Sequence, residues 1–123
     1  MNIIIDTHIF LWALSDPYRI SKAKRLALED LSNTIYVSAV SIAELMIKAS
    51  IEKLRIEFNP VDMAKESGFM LLDFSAESAL LLKDMTFHHK DPFDRMLIAQ
   101  SIATNYPIMT DDPKIALYDC RVL

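Results

Sequence analysis

Three isoleucines, Ile3 to Ile5, run without a polar interruption and stop at Asp6. A short apolar run without alternation predicts a strand buried on both faces. From Thr7 to Leu14 the pattern turns helical and ends near Asp16-Pro17. Ser21 is a good N-cap for KAKRLALEDL, whose apolar residues fall at helical spacing. Thr34 to Val37 is β-rich and predicts a second strand, after which Ser38 or Ser41 caps a long helix through Leu54. Asn59-Pro60 opens another helix, which closes at Gly68 in a left-handed cap. Phe69 to Phe74 predicts a third strand and Ser75 to Met85 a helix. Asp91-Pro92 then starts a strongly apolar helix through Thr104, capped by Asn105. Tyr106 to Met109 reads as a fourth strand and Arg121 to Leu123 as a short fifth.

Strands alternating with helices predict an α/β fold with a parallel sheet covered on both faces. No repeat, linker or low-complexity segment interrupts the pattern, so residues 1–123 read as one domain.

Composition narrows the chemistry. The apolar fraction of 52% is ample for a core, and the net charge of −4 argues against a nucleic-acid binder held by bulk charge. A nucleic acid held at a metal site with a local basic rim stays open. Cys120 is the single cysteine, which excludes an intrachain disulfide and a cysteine-based zinc site and fits a reducing, cytoplasmic setting. The one glycine, Gly68, excludes the glycine-rich phosphate loops of Rossmann and P-loop folds. No basic region precedes the opening isoleucines, as a signal peptide would require, and AVSIAELMIKASI is too short and too charged to span a membrane.

The acids carry the rest. Ligands of open α/β sheets sit beyond the carboxyl ends of the strands. Asp6 ends the first strand, and Asp111 and Asp112 follow the fourth. Singly, each reads as a helix cap; together they lie on one sheet edge if the strands are parallel. Glu44 shares a helical stripe with Ser41, Lys48 and Glu52, so a surface Glu44–Lys48 pair competes with a functional role. In HHKDPFDR, Asp91 reads as N-cap before proline at N1, and Asp94 falls at N3, at the mouth of a buried helix. His88 and His89 belong to no metal-ligand pattern and read as solvent-facing loop residues. Trp12 reads as core, and Lys48, Lys53, Arg55, Lys90 and Arg95 as a solvated face that can also serve as a phosphate-holding rim.

IIIDTHIFLWAL, VSAVSIAELMIKASIEKL, HHKDPFDRMLIAQ and IMTDDP, in this order, resemble the PIN-domain family, and most closely its short VapC-type toxins of the HxDPFDR variant. The resemblance implies a parallel sheet of order 3-2-1-4-5 and a cluster of acids that binds Mg²⁺ or Mn²⁺. Asp6, Glu44, Asp94 and Asp112 match the family's four acids. Asp91 stands as the cap within its motif, and Asp111 competes with Asp112 for the fourth place. The implied activity is an endoribonuclease that cleaves RNA phosphodiester bonds with a metal-activated water, using one or two ions and leaving a 5′-phosphate. The implied partners are RNA, a small antitoxin encoded adjacently and a second copy of the chain. An RNA-processing PIN nuclease without antitoxin and a non-catalytic interaction module are the alternatives. Asp-x-Asp phosphatases are disfavoured because position 8 is histidine, and response receivers because Asp6 lacks a paired acid.

Overall fold

The computed structural model describes all 123 residues. Four parallel strands form one sheet in the order β3-β2-β1-β4. They are β1 (Asn2–Ile5), β2 (Thr34–Ser38), β3 (Met70–Leu72) and β4 (Ile108–Met109). Ile4 pairs with Tyr36 on one side and Ile108 on the other, which makes β1 central. Its isoleucines divide by the strand period of two. Ile3 and Ile5 join Ile9, Phe10, Val37, Leu45 and Met109 in one apolar cluster. Ile4 joins Val40, Leu97, Ile98, Ile108 and Ile115 in the other.

The helices are α1 (Thr7–Ser15), α2 (Lys22–Glu29), α3 (Ala39–Ser50), α4 (Pro60–Glu66), α5 (Ala76–Leu80) and α6 (Pro92–Thr104). Their starts follow the capping residues. Ser21, Ser38, Asn59, Ser75 and Asp91 each accept a backbone N–H of the first turn. Gly68 and Asn105 both adopt positive φ, +80° and 58°, after α4 and α6.

Three expectations are corrected. The long helix stops at Ser50, because Glu52 turns left-handed at φ 59° and the Lys53 N–H closes back onto the Lys48 carbonyl at 2.9 Å. Glu52 therefore leaves the stripe of Ser41, Glu44 and Lys48. The helix expected from Ser75 to Met85 tightens after Leu80 into a 3₁₀ turn, Leu81–Asp84. The fifth strand is a single parallel bridge, Ile108 to Val122, flanked by backbone hydrogen bonds of Ile108 with Arg121 and Leu123 and of Thr110 with Leu123. No helix is long and apolar enough to cross a membrane.

Candidate functional site

All four strands point the same way, so their carboxyl ends share one edge. Asp6 stands directly after β1, and its Oδ1 accepts the Ile9 N–H at 2.8 Å. It is both a helix cap and a buried carboxylate. Burial raises its pKa above the ordinary 3.8, and the neighbouring Asp111 adds to this, while Thr110, the Ile9 N–H and His8 pull the other way.

Glu44 projects from α3 with 4% of its surface exposed. Its Oε1 lies 2.7 Å from Thr7 Oγ1 and its Oε2 accepts from Lys48 Nζ at 2.5 Å. Thr7 Oγ1 also lies 3.0 Å from Ser41 Oγ. The i,i+4 pair with Lys48 thus exists, but on a carboxylate that is buried. Through that hydrogen bond Glu44 raises the Lys48 pKa, with Asp91 and Asp94 adding their charge.

Of the four acids, Asp94 and Asp112 come together around His89, and Asp94 also feels the charges of Glu44 and Asp6. Asp91 Oδ1 accepts both the Phe93 and Asp94 N–H groups, at 2.8 and 3.1 Å. The capping of α6 therefore falls to Asp91, as its motif position implied. Asp94 Oδ2 instead lies 3.0 Å from His89 Nε2. Its pKa is pushed up to about 6, first by burial, then by the charges of Asp91, Glu44 and Asp6, against the pull of His89. Two groups that feel each other's charge across such a site cannot both ionise freely unless a cation compensates.

Asp112 Oδ2 lies 2.7 Å from the same His89 nitrogen. Desolvation raises its pKa, but the Lys114 N–H and His89 outweigh that and leave it below the ordinary value. Asp111 turns elsewhere: it pairs with Lys24, whose Nζ also donates to the Thr110 carbonyl at 2.9 Å. Asp111 and Asp112 thus face apart, one acid toward Lys24 of α2 and the other toward His89.

Two histidine and arginine readings are reversed. His89 is buried, 8% exposed, rather than solvent-facing, while His88 is exposed and rests edge-on against Tyr118. Donor atoms of His89, Asp94 and Asp112 all lie within 4.8 Å of one another. Arg95 is buried, not a rim cation; it donates to the Met85, Thr86 and His89 carbonyls at 2.9–3.2 Å and lies over the Phe87 ring. The signal for His89 was its place two residues before the Asp91 cap, which carries it to the mouth of α6. Trp12 is only partly buried, with the Arg19 guanidinium 4.7 Å above its ring.

Residues 3–119 match the family described as PIN domain. The chain belongs to the PIN-domain family. Its fold is also that of solved VapBC structures. A chain of VapBC2 from Rickettsia felis, bound to a DNA fragment from its promoter, superposes with TM-score 0.72 at 18% identity, covering 100% of this chain and 98% of that one. DNA-bound VapBC from Salmonella typhimurium gives 0.73 at 14%, covering 100% and 97%. VapBC-5 from Mycobacterium tuberculosis, a member of the VapBC family of toxin-antitoxin systems, gives 0.60 at 14%, covering 99% and 95%. Among curated proteins, no sequence matches this chain. Within this PIN domain, Lys48 and Lys24 pair directly with Glu44 and Asp111, which leaves Asp6, Asp94 and Asp112 without a lysine or arginine partner. That uncompensated, oxygen-rich set fits a hard divalent cation such as Mg²⁺ or Mn²⁺.

Proposed function

We propose that this PIN domain is a metal-dependent endoribonuclease, the toxin of a toxin–antitoxin module. The observation that carries the reading is Asp94, a carboxyl freed from capping, surrounded by other acids and pushed up to about 6. A structural cap has no use for that environment; a cation site does. Asp6, Glu44, Asp94 and Asp112 would hold the ion. When bound, a divalent ion acidifies water and offsets charge on a phosphate.

The chain's own residues supply the rest. Thr7 and Lys48 fix both Glu44 oxygens, so the carboxylate is oriented before any substrate arrives. Asp6 is oriented by the α1 backbone through Ile9. The Lys48 ammonium, partly exposed, places positive charge beside the acids, where a phosphodiester would approach. The resemblance to VapBC structures supports a small antitoxin encoded next to this gene. Such a partner could place an arginine among Asp6, Asp94 and Asp112, making charge-assisted bonds where the ion would sit.

The test is cleavage of total cellular RNA by the purified protein with Mg²⁺ or Mn²⁺. Cleavage by wild type and none by Asp94→Asn or in EDTA is the expected result. Equal cleavage by Asp94→Asn would remove the site assignment. A nuclease that is harmless when expressed alone, and that copurifies with no small partner, would instead be the RNA-processing alternative.

A further inference from the structure

His89 lies among the acids, and its ring geometry decides what it can do there. The Asp91 backbone N–H points at His89 Nδ1 across 3.1 Å. A backbone N–H can only donate, so Nδ1 must present a lone pair. The ring then carries its proton on Nε2. That N–H faces Asp112 Oδ2 at 2.7 Å and Asp94 Oδ2 at 3.0 Å. An ion at Nε2 would need the lone pair there and the proton on Nδ1, directed into the Asp91 N–H. The nitrogen that looks like a third ligand by distance is therefore a donor by tautomer.

The surroundings hold the loop backbone that carries the ring. The His89 N–H donates to Tyr118 Oη at 2.9 Å, and the His89 carbonyl accepts from Arg95 Nη1 at 3.2 Å. Tyr118 Oη donates in turn to the Thr86 carbonyl at 2.7 Å, which Arg95 also reaches at 2.9 Å. Tyr118 follows the 3₁₀ turn Ile115–Leu117 and Arg95 lies in α6, so two separate segments pin one loop.

We infer that His89 is a positioning residue: an imidazole whose Nε2–H holds Asp94 and Asp112 together in the geometry that receives the ion, and which does not itself ligate the ion. The inference rests on the proposed metal site, and it deepens it by separating the donor from the ligands. Hydrogen-bonded partners behind metal ligands typically matter tenfold to a hundredfold in affinity.

Two measurements on the full chain test it. Long-range ¹H–¹⁵N spectra of ¹⁵N-histidine protein report the His89 tautomer, first in EDTA and then with diamagnetic Mg²⁺. The Nε2-protonated form in both is expected; an Nδ1-protonated ring in either overturns the inference. Calorimetric titration with Mg²⁺ then compares wild type, His89→Ala and His89→Gln. A loss of about tenfold to a hundredfold in His89→Ala is expected, with most of it restored by the amide donor of His89→Gln. Affinity unchanged in His89→Ala, or glutamine no better than alanine, also overturns it. Wild type that binds no Mg²⁺ would sink the metal-site reading instead, and the EDTA spectrum would still decide the tautomer. If His89→Ala does not fold, the spectra alone are decisive.

Discussion

Asp91 and Asp94 stand three residues apart on one helix start, yet their environments give them opposite tasks. Asp91 spends an oxygen on two backbone N–H groups. Asp94 spends none there and is pushed up to about 6 from the ordinary 3.8. Between about pH 4 and 6, folded Asp94 keeps a proton that the unfolded chain has released. Raising pH through that window therefore costs stability, and the loss persists above it. In EDTA, Asp94→Asn, which cannot ionise, is expected to melt higher than wild type at pH 7 and to lose this advantage at pH 4. Calorimetric scans at the two pH values check it; an advantage independent of pH would show that Asp94 is not the group responsible. An ion must also displace that proton, so Mg²⁺ affinity is expected to fall as pH drops through about 6.

Among the elements, α6 brings capping and chemistry closest together. Asp91→Ala is expected to cost about 1 kcal/mol of stability by removing the cap, whereas Asp91→Asn should keep both fold and RNA cleavage, because asparagine caps as well as aspartate. Urea unfolding and a cleavage assay on the two variants separate cap from catalyst. Loss of cleavage in Asp91→Asn would move Asp91 into the proposed ligand set. The caps themselves were legible in the sequence, since Ser21, Asn59, Asp91, Gly68 and Asn105 act through their own backbone neighbourhoods. The end of α3 was not: Ile51 to Leu54 continues an apolar pattern, and no glycine marks the left-handed turn that falls on Glu52.

At the scale of the molecule, the proposed ion links four segments that the sheet gathers at one edge, so binding should stabilise the whole fold. Saturation at a hundred times the dissociation constant adds about 2.7 kcal/mol, a rise in melting temperature on the order of 10 °C for a domain of this size. Thermal scans with millimolar Mn²⁺ are expected to show the rise in wild type and not in Asp6→Asn, whose α1 cap survives the substitution. No shift in wild type would count against the site as a whole. Expression in cells is expected to arrest growth, with relief on co-expression of the adjacent small gene; viability without that gene would set the toxin reading aside.

The four acids were singled out by the resemblance of their motifs to the PIN-domain family; the sequence by itself determined the strand–helix alternation, the parallel sheet and the helix starts. These depend on apolar period and on caps, both of which act over a few residues. What only the tertiary structure decided was which acid faces which partner. Asp111 and Asp112 are adjacent in the chain and equivalent in type, and contacts 87 and 23 residues away separate them, Lys24 for one and His89 for the other. The burial of His89 and Arg95 was hidden for the same reason. A polar side chain enters the interior only where distant groups satisfy it, and the Tyr118 hydroxyl and the loop carbonyls that do so come together only in the folded chain.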